Sequence, residues 1–89
     1  MREITIDEHD FNRPSEFMAQ MKKALGLPEW TGSSLAAFRD CLGDISEPTQ
    51  FTVLQHSVVP ETWFSKATIT LMRAAMENEN LKVFIRRAR

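Results

Sequence analysis

Residues 27–42, Leu27-Pro28-Glu29-Trp30-Thr31-Gly32-Ser33-Ser34-Leu35-Ala36-Ala37-Phe38-Arg39-Asp40-Cys41-Leu42, decide how this 89-residue chain is read. Pro28 cannot continue the helix in front of it. Gly32 lets the backbone turn at a φ that other residues resist. Ser33 or Ser34 can then cap a helix from about Leu35 to Asp44, because a serine oxygen accepts from the free N–H groups of the first turn. At about 100° per residue, Leu35, Phe38, Leu42 and Ile45 fall on one face, with Cys41 near its edge. Ser33, Ala36, Asp40 and Asp44 fall on the opposite face. The helix therefore buries one stripe and turns Asp40 toward solvent or a partner. Trp30 lies in the loop before the turn, where a large amphipathic ring is a common interface anchor.

The flanking segments supply the rest of the architecture. Glu3 to Asp7 alternates apolar and polar residues, the period of a short strand. Asn12-Arg13-Pro14-Ser15-Glu16 opens a helix with proline where the first turn tolerates it. Phe17, Met18, Met21, Ala24 and Leu25 follow at helical spacing, and Gly26 with Pro28 ends the run. Phe51-Thr52-Val53-Leu54 reads as a buried strand, and Pro60 breaks the chain after it. A further helix is expected from about Ser65 to Asn78, with Ile69, Met72 and Met76 on one face and Leu71 and Ala75 beside them. Met18, Met21, Met72 and Met76 are read as core filler. Asn78 and Asn80 suit a turn, and Leu81 to Ile85 forms the last strand. The order is strand, two helices, strand, helix, strand. Such alternation argues for an α/β domain, a small three-stranded parallel sheet packed against three to four helices. One domain spanning residues 1–89 is expected, with the strand order open.

Composition excludes several functions. Hydrophobic residues make up 43% and charged residues 26%, ordinary for a globular protein. No apolar run approaches the roughly 20 residues of a membrane span. The charged, alternating N-terminus has no continuous apolar stretch of the signal-peptide kind, so export is not expected. Cys41 is the single cysteine, so no internal disulfide can form. A small secreted domain usually carries several, and a reducing compartment, the cytoplasm, is expected. Cys41 itself reads as a small buried hydrophobe, with no base spaced to activate it.

The net charge of −1 is unevenly spread. Residues 30–65 hold one basic and four acidic groups, whereas residues 66–89 hold six basic and two acidic. His9, His56 and Cys41 lack metal-ligand spacing, so no metal and no cofactor is expected. Asp7, Glu8 and Asp10 read as a solvated loop between strand and helix. No glycine-rich phosphate loop and no nucleophile beside a base is present, which argues against an enzyme. Arg86, Arg87 and Arg89 read as a solvated, frayed tail. The alternative is a small nucleic-acid-associated module using that tail, although the rest of the chain lacks a basic surface with interleaved aromatics.

Residues 27–42 also resemble the signature of the barstar family. Leu27, Pro28, Glu29, Gly32, Leu35, Ala37, Asp40, Cys41 and Leu42 match the family's type sequence, and Lys22-Lys23-Ala24-Leu25 fits its first helix. The motif covers about sixteen residues, and the element order fits the family fold over nearly the whole chain. The resemblance implies a barstar-like fold and a bacterial immunity protein, a monomer when free. Its partner would be an extracellular-type ribonuclease or a related toxin nuclease, bound one to one. A loop–helix segment of about residues 28–46 would block the enzyme's active site, with the Asp40 carboxylate in the place of a substrate phosphate. The implied contact residues are Trp30, Gly32, Ala36, Arg39, Asp40 and Asp44. Several positions depart from the family pattern. Ala36 stands where a second acid is expected, Arg39 where a tryptophan precedes the key acid, Thr31 at the second loop aromatic, and Ala74 at a supporting acid on the later helix. Asp44 stands where the type sequence has glycine and adds one negative charge.

Overall fold

A computed structural model describes residues 1–27, 34–56 and 62–87. Its elements are β1 (Arg2–Asp7), α1 (Pro14–Leu25), α2 (Leu35–Gly43), β2 (Thr49–Gln55), α3 (Trp63–Glu77) and β3 (Leu81–Arg87), with one turn of 3-10 helix at Glu8–Asp10. The three strands form one sheet in the order β1-β2-β3, and both pairings are parallel. The expected α/β class holds, with three α-helices beside the single 3-10 turn.

Register puts Ile4 beside Phe51 and Phe51 beside Val83, and Ile6 beside Val53. Side chains alternate across a strand, so these residues share one face. That face is the buried one: Ile6, Phe51 and Val53 are almost wholly excluded from solvent, while Thr5 on the other face is exposed. The core lies between this face and the helices. Phe17 is its hub. Its ring meets those of Phe11, Phe38, Trp63 and Phe64 edge-on, with centroids 5.4, 5.6, 5.9 and 6.3 Å away. One aromatic ring thus ties α1 to both later helices. Each such side chain is worth roughly 1.5–3 kcal/mol when fully buried.

α1 begins with Pro14 and ends at Gly26, whose φ of 67° is the left-handed cap that glycine adopts without strain. It buries Phe17, Met18, Met21 and Leu25, and leaves Ala24 exposed.

α3 departs from the sequence reading in phase. It starts two residues earlier, at Trp63, because the Thr62 side chain accepts from the Ser65 N–H. Its inner face is Phe64, Ala67, Thr68, Leu71 and Ala74. Met72 and Met76, expected as core filler, are 46% and 87% exposed, and Ile69 on the same face is 45% exposed. The helix is apolar on more than one side, so periodicity alone allowed two stripes. Phe64 supplies the largest buried ring and sets the phase. Thr68 hides among the apolar residues because its hydroxyl donates to the Phe64 carbonyl at 3.0 Å. Met18 and Met21 are core filler as expected; Met72 and Met76 are not.

β3 extends two residues past Ile85. Arg86 and Arg87 are strand residues in register with Leu54 and Gln55, not a frayed tail. Both are exposed. Arg89 lies outside the described residues.

Candidate functional site

α2 carries the residues singled out from the sequence, and its local chemistry explains how firmly it is held. Ser34 is the N-cap, with its Oγ accepting from the Ala37 N–H at 3.1 Å. Phe38 and Leu42 are fully buried, and Leu35 and Ile45 pack against the core beside them. The far end is clamped from α3. Asn78 Nδ2 donates to the carbonyls of Leu42 and Ile45, both at 3.0 Å, and Asn80 Nδ2 donates to Ile45 at 3.3 Å. These carbonyls close a helix end that would otherwise depend on water. The asparagines, read from the sequence only as turn formers, therefore also fix the end of α2.

With one stripe buried, the opposite stripe is exposed. Ala36, Arg39, Asp40 and Asp44 all reach solvent. Asp40 and Asp44 lie one turn apart. Neither carboxylate has a hydrogen bond or ion pair among the described residues. Arg39 is different. Its guanidinium pairs with the Glu77 carboxylate of α3. The positive charge beside Asp40 is thereby offset, and the surface where α2 meets the end of α3 keeps an acidic balance of Asp40, Asp44 and Glu77 against Arg39. Ala74, at the position of a possible supporting acid, is buried, so no charge could act from there without disturbing the core. Cys41 is half-buried at the edge of the packed stripe. Trp30 and Gly32 lie outside the described residues.

A second cluster was not legible in the sequence. Asp7 ends β1, and His56 follows directly after β2. Parallel pairing puts the carboxyl ends of these strands side by side. His56 Nε2 lies 2.8 Å from Asp7 Oδ1, and the His9 ring stacks on His56 with centroids 3.4 Å apart. The same Asp7 oxygen accepts from the His9 N–H at 2.9 Å. That backbone bond, helped by the His56 ring and by both imidazoles, holds the Asp7 carboxyl below its ordinary 3.8, against a smaller opposing effect of burial. Forty-nine residues separate Asp7 from His56, so spacing alone gave no signal. The signal lay in recognising both as residues at the carboxyl ends of neighbouring parallel strands.

No helix among the described residues is long and apolar enough to cross a membrane. A family model described as Barstar (barnase inhibitor) matches residues 1–84. The search of curated proteins gives no match.

Proposed function

The chain belongs to the barstar family, and from that premise we propose that it is a cytoplasmic inhibitor of an extracellular-type ribonuclease or related toxin nuclease. It binds one to one and blocks the active site with the segment of about residues 28–46. Members of this family bind ribonucleases and are inhibitors rather than enzymes.

The observation that carries the reading is Asp40. It is an exposed carboxylate without a partner among the described residues, on a helix fixed by a serine cap, two buried side chains and an asparagine clamp. The helix beneath the carboxylate is already fixed, so binding need order only the Asp40 side chain, and its charge-assisted hydrogen bonds to a guanidinium are opposed by a smaller entropy cost. Enzymes that bind RNA hold basic groups where the phosphate sits, and Asp40 presents the matching charge. Asp44 extends the acidic surface by one turn.

Ala36 and Arg39 shape the choice of target. The face carries fewer negative charges than the family pattern, and Arg39 is tied to Glu77. Electrostatic steering is correspondingly modest, so association falls less steeply with salt than for a strongly acidic inhibitor. The enzyme complementary to this face has one basic centre opposite Asp40 and an acidic or neutral neighbour opposite Arg39.

Capture on immobilised protein from the secreted fraction of the source cell, followed by a nuclease assay of what is retained, tests the proposal. The expected result is a ribonuclease that is silent while bound and active after release. A captured nuclease that stays fully active in the complex would rule out active-site blockade.

A further inference from the structure

The carboxyl ends of β1 and β2 hold a group of side chains that the inhibitory face does not use. Asp7, His9 and His56 each offer one ligand atom, and these atoms lie within 4.8 Å of one another. We propose that they form a site for a single divalent transition-metal ion of the zinc class, bound by one carboxylate oxygen and two imidazole nitrogens.

Donor chemistry comes first. Imidazole nitrogen and carboxylate oxygen are borderline and hard ligands, the set used by zinc sites with three protein ligands and an open fourth position. The spacing fits as well. Two donors about 2.0–2.1 Å from a tetrahedral ion lie about 3.3 Å apart. His56 Nε2 and Asp7 Oδ1 lie 2.8 Å apart and no pair of ligand atoms is more than 4.8 Å apart, a range that includes that separation. Reaching it needs His56 Nε2 and Asp7 Oδ1 to part by about half an ångström, with the exposed His9 ring turning to present its nitrogen.

The cluster is also held in place before any ion arrives. Asp7 Oδ1 accepts from the His9 N–H, which fixes the carboxylate at the start of the 3-10 turn. The His56 N–H donates to Glu8 Oε1 at 2.6 Å, which ties the chain after β2 to that same turn. On binding, the ion takes the position of the hydrogen between His56 Nε2 and Asp7. A His56 that ligates through Nε2 carries its ring proton on Nδ1. Ligands in open α/β sheets gather outside the carboxyl ends of the strands, where these residues lie. The ion would pin the start of the 3-10 turn to the end of β2, on elements separate from α2.

Calorimetric titration of the untagged protein with zinc chloride tests the site, with Cys41→Ser, His9→Ala and His56→Ala variants in parallel. The expected result is one ion per chain with a Kd of about 10 μM or tighter, unchanged in Cys41→Ser and weakened at least about tenfold in each histidine variant. Zinc should also raise the melting temperature of the wild type but not of His9→Ala. His9 is exposed, so that variant keeps the fold even if His56→Ala does not. A wild-type Kd weaker than about 1 mM, loss of binding in Cys41→Ser, or equal binding by His9→Ala overturns the proposal.

Discussion

Asn78 is the residue whose removal most directly tests how α2 is held. Its side chain makes three hydrogen bonds: Nδ2 donates to Leu42 and Ile45, and Oδ1 accepts from the Asn80 N–H, each at 3.0 Å. A net value of about 1 kcal/mol per bond sums to roughly 3 kcal/mol. The site is only part-buried, so water can serve the vacated carbonyls and lowers the loss toward roughly 2 kcal/mol. Asn78→Ala should therefore cost about 2–3 kcal/mol. In a domain of this size that is a drop of roughly 10–20 °C in melting temperature. Asn78→Asp separates donor from acceptor. It keeps the acceptor for Asn80 but sets a negative charge against two carbonyls at the ends of two helices, where negative charge is unfavourable. It should cost at least as much as Asn78→Ala. Urea unfolding of the three proteins gives both numbers, and hydrogen exchange should show faster opening of the last turn of α2. A loss below about 0.5 kcal/mol for Asn78→Ala, or a clearly milder Asn78→Asp, would show that the clamp does not hold the helix.

Phe38→Ala removes a fully buried ring in contact with Phe17 and should cost about 3–5 kcal/mol, read as a shifted urea midpoint. Ser34→Ala deletes the cap of α2 and should cost about 1 kcal/mol, with the loss visible as fraying of the first turn by hydrogen exchange. Met76→Lys should leave stability within about 0.5 kcal/mol, because that side chain is 87% exposed. A Met76→Lys loss of several kcal/mol would restore the methionine face to the core.

Most of the fold could be read from local pattern. Strand alternation, the caps at Gly26 and Ser34 and the phase of α2 all arise from residues close in sequence. Leu35, Phe38 and Leu42 left no second apolar stripe to choose, so α2 was assigned the correct face. α3 failed for the opposite reason. Ile69, Met72 and Met76 make a plausible stripe, and only the tertiary fit of Phe64 with Ala67, Leu71 and Ala74 selects the other one. At the site, the outward direction of Ala36, Asp40 and Asp44 followed from helix phase. The pairing of Arg39 with Glu77, the Asn78 clamp and the Asp7–His9–His56 cluster did not, because each joins residues more than thirty positions apart.

The most direct test of the inhibitory reading is a titration of a captured ribonuclease with wild-type protein and with Asp40→Ala. Asp40 is exposed and makes no contact needed for folding, so the variant should melt as the wild type does. Wild-type protein should abolish activity at one equivalent. Asp40→Ala should weaken the complex by more than about 2 kcal/mol, a rise in Kd of roughly 30-fold. Undiminished nuclease activity at saturating wild-type protein would contradict the inhibitory function, and an unchanged Kd for Asp40→Ala would remove α2's outer face from the interface.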